Sequence, residues 1–286
     1  MGTLYVVATP IGNLGDISKR ALEVLSSCDY IACEDTRQTL KLVNYFDIHT
    51  SLVSYHKFNE SSKSNHLIKL LLEGKNIALV SDAGTPCISD PGFVLVREAR
   101  ENNIPVFGIP GCSATVVALS ISGLKTDDFT FIGFVPQENK KFREVMRKVE
   151  DSSFTTFIFY ESPKRIVSFV EKLLEYFKGS TIFIGSDLTK LHERSFYGKV
   201  EDIYEQIKND AKIEKGEYVL VLEKKLKDKI IEEEVISKEA LLIDYMVKNN
   251  KSMKDAIKEL SKLEKTSKNE LYSASLNLKN IFDEVK

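Results

Sequence analysis

The stretch IALVSDAGTPCISDPG, residues 77–92, decides how the first half of the chain is read. Ile77–Ser81 is a short apolar run of the kind that forms a buried strand. It leads directly into a loop holding Gly84, Pro86, Pro91 and Gly92, residue types that permit or fix unusual main-chain paths. Asp90-Pro91 has the form of an N-cap followed by proline at the first helical position, and predicts a helix to about Asn102. Working outward, Leu4–Thr9, Tyr30–Cys33 and Pro105–Ile109 read as further strands. A helix capped by Asp16 follows the first strand, Asn59–Glu73 has helical periodicity stopped by Gly74, and Ser113 can cap another helix. Strands and helices alternating in this order predict a mostly parallel sheet covered by helices, so the fold class is α/β.

After the polar stretch Gly123–Asp128 the pattern changes. Strands are expected at Phe129–Val135, Thr155–Tyr160, Thr181–Gly185, Ser195–Lys199 and Glu217–Glu223, with helices at about Asn139–Val149 and Pro163–Phe177. Consecutive strands without an intervening helix give this part more antiparallel character. Beyond Gly216 the chain contains neither glycine nor proline, and beyond about Lys229 it has helical periodicity. Ser252 and Ser267…Glu270 are plausible caps there, the latter with capping-box spacing. Two helices meeting around Leu263–Thr266 would resemble a helix-turn-helix, and a bundle used for packing or dimerisation remains the alternative. The expected division is therefore 1–123, an N-terminal α/β domain; 124–226, a second α/β domain; and 227–286, a small helical domain.

The balance of 40 basic against 42 acidic side chains excludes bulk electrostatics as the basis for binding nucleic acid, so any anionic partner must meet a local patch. No apolar run approaches the roughly 18–20 residues of a membrane-spanning helix, and no secretory signal is expected at the start. Cys28, Cys33, Cys87 and Cys112 form no CxxC pair, and the four histidines have no metal-binding spacing. Buried thiols in a reducing cytoplasm, and no metal, are the expectation.

Three loops follow strands and carry glycine or proline: TPIGNLGD (Thr9–Asp16), SDAGTPCISDPG (Ser81–Gly92) and GIPGCSA (Gly108–Ala114). Ligands in α/β sheets bind beyond the carboxyl ends of strands, so three such loops predict one shared pocket. There is no GxxxxGK[ST] and no GxG triplet, which excludes a P-loop NTPase and the dinucleotide fingerprint. These loops hold acids and hydroxyls but no lysine or arginine. They suit a ligand with a cationic centre, an amine and an adenosine better than a phosphate, and S-adenosylmethionine is compatible with that chemistry.

In order along the chain, LYVVATPIGNLGD, ACEDTRQT, SYHKFNE, VSDAGTPCISDPG, GIPGCSA, FIGFVP and FYESPKR resemble the ribosomal RNA small subunit methyltransferase I family, part of the tetrapyrrole (corrin/porphyrin) methylase superfamily. The resemblance runs from Leu4 to at least Glu223, and the helical tail is similar to that family's extension. One departure is SDLTK (Ser186–Lys190), where the family more often reads RELTK. The resemblance implies 2′-O-methylation of a cytidine ribose in the decoding region of 16S rRNA with S-adenosylmethionine held between two α/β domains. It also implies a cytoplasmic enzyme, a homodimer, and 16S rRNA or the small ribosomal subunit as partner. Carried over by motif, the cofactor positions are Pro10 and Ile11; Asp82, Ala83, Gly84, Thr85 and Ile88; Ser113 and Ala114; and, in the second domain, Tyr160, Leu188 and Tyr218.

A neutral ribose hydroxyl is a poor nucleophile, so a base or electrostatic help is required. Candidates are Glu34 and Asp35 of EDTR, His56 and Glu60 of HKFNE, and Asp90; Arg37, Lys57 and Arg165 could hold phosphates or stabilise negative charge. For RNA contact, Lys140, Lys141, Arg143, Arg147 and Lys148 form a local basic segment that Lys164 and Arg165 could extend. A tetrapyrrole precursor C-methyltransferase would share the pocket without the basic patch. A catalytically silent ribosome-associated RNA-binding module would keep the patch and lose the cofactor.

Overall fold

The computed structural model describes residues 1–225, 237–263 and 267–284. Two five-stranded sheets lie within the compact unit Met1–Lys225. The first contains β1 (Leu4–Val7), β2 (Tyr30–Cys33), β3 (Ser51–Ser54), β4 (Ile77–Val80) and β5 (Val106–Ile109), in the order β3-β2-β4-β1-β5 with every pair parallel. Its connections are α1 (Lys19–Ser27), α2 (Thr36–Tyr45), α3 (Glu60–Leu72) and α4 (Phe93–Glu101). Both faces are covered, which is why Ile77, Ala78, Leu79 and Val80 are all buried and the strand reads as a continuous apolar run. Leu4, Ile77 and Leu79 face one side cluster, and Val7, Ala78 and Val80 face the other.

α5 (Ala114–Ile121) joins the halves: Ala118 and Leu119 pack against Ile158, Phe183, Val219 and Val221 of the second sheet. That sheet runs β6-β7-β10-β8-β9, formed by β6 (Phe129–Phe134), β7 (Thr156–Glu161), β8 (Thr181–Ser186), β9 (Arg194–Lys199) and β10 (Tyr218–Glu223). Only β6 and β7 pair parallel; β10 runs against both β7 and β8, and β8 against β9. Central β10 alternates, with Tyr218, Leu220 and Leu222 in the cluster under α6 (Asn139–Asp151), α7 (Ile166–Phe177) and α8 (Val200–Ile207), and Val219 and Val221 in the cluster under α5. Each fully buried side chain of this size stabilises the fold by about 1.5–3 kcal/mol. The parallel first sheet and mixed second sheet agree with the α/β expectation.

Local details differ. Ser18, not Asp16, caps α1, accepting from Ala21 N at 3.1 Å; Asp16 closes a short 3₁₀ turn, Leu14–Asp16. α4 begins at Phe93 behind Gly92, not at Pro91, because Gly92 takes φ 136°, a conformation closed to the helix. α7 begins at Ile166, after a turn in which the Arg165 and Ile166 amides bond to Ser162 O, instead of at Pro163. α2, β3 and α8 are elements beyond those that the sequence pattern predicts. Asp35 caps α2, accepting from Arg37 N at 2.8 Å, so half of the EDTR motif is a helix start.

The second unit, Leu226–Lys286, contains α9 (Lys238–Asn249), α10 (Met253–Leu263) and α11 (Lys268–Glu284) around Leu242, Ala256, Leu260, Leu271 and Leu278. Ser252 accepts from Asp255 N at 3.2 Å, and the Ser267–Glu270 capping box closes at 3.3 Å in both directions. Of the turn expected around Leu263–Thr266, residues 264–266 lie outside the described residues. Among the described residues no helix is long and apolar enough to cross a membrane.

Candidate active site

β4, β1 and β5 stand side by side, so the three loops leave adjacent carboxyl ends. Their backbones are laced together. Thr9 and Gly84 exchange N–H···O bonds of 2.9 and 3.0 Å, Thr85 Oγ1 donates to the Cys112 carbonyl at 3.0 Å, and Cys112 Sγ donates to the Asp16 carbonyl at 3.5 Å. The middle loop turns through Gly84, Cys87, Ser89 and Gly92 at φ 80°, 72°, 68° and 136°. For Cys87 and Ser89 that conformation costs on the order of 1 kcal/mol or more and persists only where the surroundings over-determine it.

The facing wall comes from the second sheet. Because β10 is antiparallel to its neighbours, its first residue, Tyr218, pairs with Glu161 of β7 and Ser186 of β8, gathering three strand ends at one edge. The turn after β8 holds Asp187 and Thr189 at φ 52° and 68°, and Lys190 ties it down through Asp187 at 2.8 Å and Glu217 at 2.9 Å. The Asp187 carboxylate of the departing SDLTK motif therefore anchors this turn. The first loop packs on it so closely that a Cβ on Gly12 would lie 2.4 Å from Lys190 Cγ. Thr115 Oγ1 and the Tyr160 hydroxyl, 2.7 Å apart, bridge the two walls.

Between them lies a cleft of about 480 Å³, in the range of small-molecule sites. Ile11, Asp82, Ala83, Gly84, Thr85, Ile88, Ser113, Ala114, Tyr160, Leu188 and Tyr218 all line it, as does Glu34; Pro10 does not. The sequence reading missed Ser89, Phe134, Glu161, Ser162, Pro163, Glu217 and Val219. Most of these sit in the second sheet, where no Gly/Pro loop marks the wall, although FYESPKR had flagged the segment from Glu161 to Pro163. Among the described residues, no lysine, arginine or histidine lines the cleft. Burial, reinforced by Asp82 and Asp90, raises the Glu34 carboxyl; burial raises Asp90 to about 6, Ser81 hydrogen bonding against that and Asp82 adding to it. Burial also raises the Tyr160 hydroxyl.

These walls fit S-adenosylmethionine. Carboxylates meet a sulfonium and an ammonium, Thr85 and Ser113 offer hydroxyls, and Phe134, Tyr160, Leu188 and Val219 offer apolar surface to a purine. A phosphate ligand would meet unscreened acids.

The other candidates lie elsewhere. Asp35, held by the Arg37 guanidinium and backbone amide, is pulled down to about 2 and lines no part of the cleft. Glu60 accepts from Gly92 N at 2.8 Å and from the Tyr55 hydroxyl at 3.3 Å, while Tyr55 receives Leu95 N; this side chain fixes the end of the middle loop. His56 sits beside Asn59, with Nε2 3.2 Å from Asn59 Nδ2 and a buried Nδ1 without a partner. Lys140, Lys141, Arg143, Arg147 and Lys148 are exposed on α6, and Lys164 is exposed, whereas Arg165 pairs with buried Glu161 and donates to Val135 O. Cys28 and Cys33 are buried and Cys87 and Cys112 half-buried, all as free thiols; among the described residues no group of side chains could hold a metal.

Comparison with known proteins agrees with this geometry. The profile of the Tetrapyrrole (Corrin/Porphyrin) Methylases matches residues 3–204. Ribosomal RNA small subunit methyltransferase I of Halalkalibacterium halodurans is 47% identical over 222 residues, 78% of this chain and 76% of that one. Its namesake in Escherichia coli O157:H7 is 40% identical over 276 residues, 96% and 95% of the two chains. Among solved structures, uroporphyrin-III C-methyltransferase from Thermus thermophilus, crystallised with S-adenosyl homocysteine, superposes with a TM-score of 0.55 at 16% identity, covering 78% of this chain and 97% of that one. With a laced, acid-lined cleft at the carboxyl ends of a parallel sheet, this chain belongs to the ribosomal RNA small subunit methyltransferase I family of the tetrapyrrole methylases and is an S-adenosylmethionine-dependent methyltransferase.

Proposed function

We propose that the protein methylates the 2′-hydroxyl of a cytidine ribose in the decoding region of 16S rRNA, acting in the cytoplasm on the rRNA or the small subunit. The observation that carries the methyl-transfer half of this reading is the cleft wall, which presents Glu34 and Asp82 to a cationic ligand and, among the described residues, no lysine, arginine or histidine to compete with it. The names of the relatives support the RNA half. When bound, S-adenosylmethionine supplies a methyl group already activated on positively charged sulfur. The protein's work is to fix the laced loops, keep water out with Phe134, Leu188 and Val219, align the hydroxyl and take its proton. Glu34, Asp35, Arg37, His56 and Glu60 are the motif-derived catalytic candidates, and Glu34 alone among them lines the cleft.

A second copy of the chain is part of the proposal. α5 is almost wholly apolar, yet Val116 and Ile121 are exposed, as is Phe107 on the edge strand β5, residues that an isologous partner would cover.

Lys140, Arg143 and Arg147 fall on one stripe of α6 at helical spacing, opposite buried Phe142, Met146 and Val149. Changing all three to alanine is expected to make the logarithmic salt dependence of RNA binding shallower by about 2, at about 0.7 per phosphate contact on single-stranded RNA. An unchanged slope in filter binding between about 50 and about 200 mM salt would take the RNA off this helix.

The reading itself is tested by tritium transfer from labelled S-adenosylmethionine to small subunits lacking the modification, with nuclease digestion and nucleoside analysis. Label on 2′-O-methylcytidine from the decoding region is the expected result. Label on a tetrapyrrole precursor instead would assign the C-methyltransferase reading, and absence of cofactor binding would assign the silent RNA-binding one.

A further inference from the structure

Several carboxylates line the cleft or hold its framing loops. Glu34 leaves β2 half-buried beside Asp82 and Asp90, Glu217 pairs with Lys190, and most of the others are already committed. Asp35 is chelated by Arg37, Glu60 by the Gly92 amide and Tyr55, Glu161 by Arg165 and the Ser162 amide. Asp82, exposed, accepts the Asp35 amide at 3.0 Å. Asp90 differs. It is half-buried on the cleft wall and forms no ion pair among the described residues. The polar side chain beside it is the neutral Ser81 hydroxyl, which donates to the Ala83 carbonyl at 3.2 Å.

The groups that face it carry no positive charge. They are Glu34 from the end of β2, Asp82 and Cys87 on its own loop, and the Tyr160 hydroxyl from β7. With no cation beside it among the described residues, the carboxylate keeps the high proton affinity that a base working near neutral pH requires. The backbone around it is over-determined. Cys87 and Ser89 precede it with positive φ, Gly92 follows at 136°, and Glu60 grips Gly92 N while Tyr55 grips Leu95 N. On the far side Gly133 lets β6 approach, since a Cβ there would come 2.9 Å from Ser89 Oγ. A side chain needed only for packing would not call for two non-glycine residues in left-handed geometry within four positions.

We propose that Asp90 is the general base that receives the proton of the hydroxyl being methylated, with Glu60 and Tyr55 as positioning residues that fix its loop. This rests on the ribose-methylation reading. The O–H proton passes to an Asp90 carboxylate oxygen as the new O–C bond forms; the methyl C–S bond breaks, its electron pair stays on sulfur, and neutral S-adenosylhomocysteine departs. The proton then leaves Asp90 to solvent. Because a base must be ionised, activity rises with pH through the Asp90 titration and levels off above it. The sign is that of a raised carboxyl, inactive below and active above about 6, with the bound sulfonium moving the limb downward.

The test is Asp90→Asn, read in three ways on the full chain. Calorimetry is expected to show S-adenosylmethionine affinity within about threefold of wild type, and the melting curve an intact fold. Single-turnover methylation is expected to fall by about 10²–10⁴ and to lose the acid limb that wild type displays. Asp90→Glu should recover part of the rate together with an acid limb. Methylation within tenfold of wild type, or an acid limb that survives in Asp90→Asn, overturns the proposal. So does loss of cofactor affinity with the fold intact, which would make Asp90 a cofactor ligand. If Asp90→Asn unfolds, Glu60→Gln decides: a lowered rate with its acid limb displaced at unchanged cofactor affinity supports the positioned base, and an unmoved limb overturns it. Nucleoside analysis of the wild-type product keeps the readings apart, because a product other than a 2′-O-methylated nucleoside defeats the ribose reading before any variant is made.

Discussion

Arg165→Ala is expected to lower stability by about 3 kcal/mol, which for a chain of this size is a drop of roughly 6–12 °C in melting temperature. The Glu161 side chain is 1% exposed and that of Arg165 is 28% exposed. Removing the guanidinium leaves a buried carboxylate with the Ser162 amide as its remaining donor and frees the Val135 carbonyl from its side-chain partner. Glu161 also borders both the candidate-site cleft and a smaller hollow lined by Arg165 and Lys172, so its displacement reaches the site. Replacing both partners with apolar residues of similar volume should restore most of the loss, because the cost lies in the unpaired charge. Differential scanning measurements decide the matter. An unchanged melting temperature with weakened RNA binding would assign Arg165 to the substrate.

Thr85→Arg is expected to reduce S-adenosylmethionine affinity at least 100-fold, about 2.7 kcal/mol. Thr85 is half-buried on the cleft wall and its hydroxyl secures the Cys112 carbonyl, so the longer side chain both unlaces two loops and enters the cavity. Its guanidinium would also pair with the carboxylates that otherwise meet the ligand's cationic groups. The charge component can be isolated by titrating with S-adenosylhomocysteine, which lacks the sulfonium and should lose less. Thr85→Val removes the hydroxyl alone and should cost about tenfold or less. Equal affinity for wild type and Thr85→Arg would place the methyl donor elsewhere.

Most of one wall of the site could be read from the chain because its residues are conspicuous as residues. Gly84, Pro86 and Gly92 announce an unusual loop, and Ser113 announces a capped helix that the structure confirms through Val116 N. Asp90 was misread in the same stretch. Next to proline it looks like a cap, but it lies on the cleft wall and the helix waits for Gly92. Asp35 went the opposite way, since a motif acid suggestive of chemistry turned out to start α2. Local sequence cannot separate these cases, because a carboxylate's partner is chosen by what stands across the loop and not by its neighbours along the chain.

The sequence by itself determined the alternation of strands and helices, the three loops, and the absence from them of basic side chains. The tertiary structure decided the strand order. Segments far apart in sequence became the adjacent strands β2-β4-β1-β5, which brings Glu34, Asp82 and Asp90 to one wall; antiparallel β10 brings Tyr218 opposite Glu161. The physical reason is that strand propensity and loop chemistry are local, encoded within a few residues. Adjacency in a sheet is settled by which apolar faces can be buried together, and with it the charge each carboxylate feels.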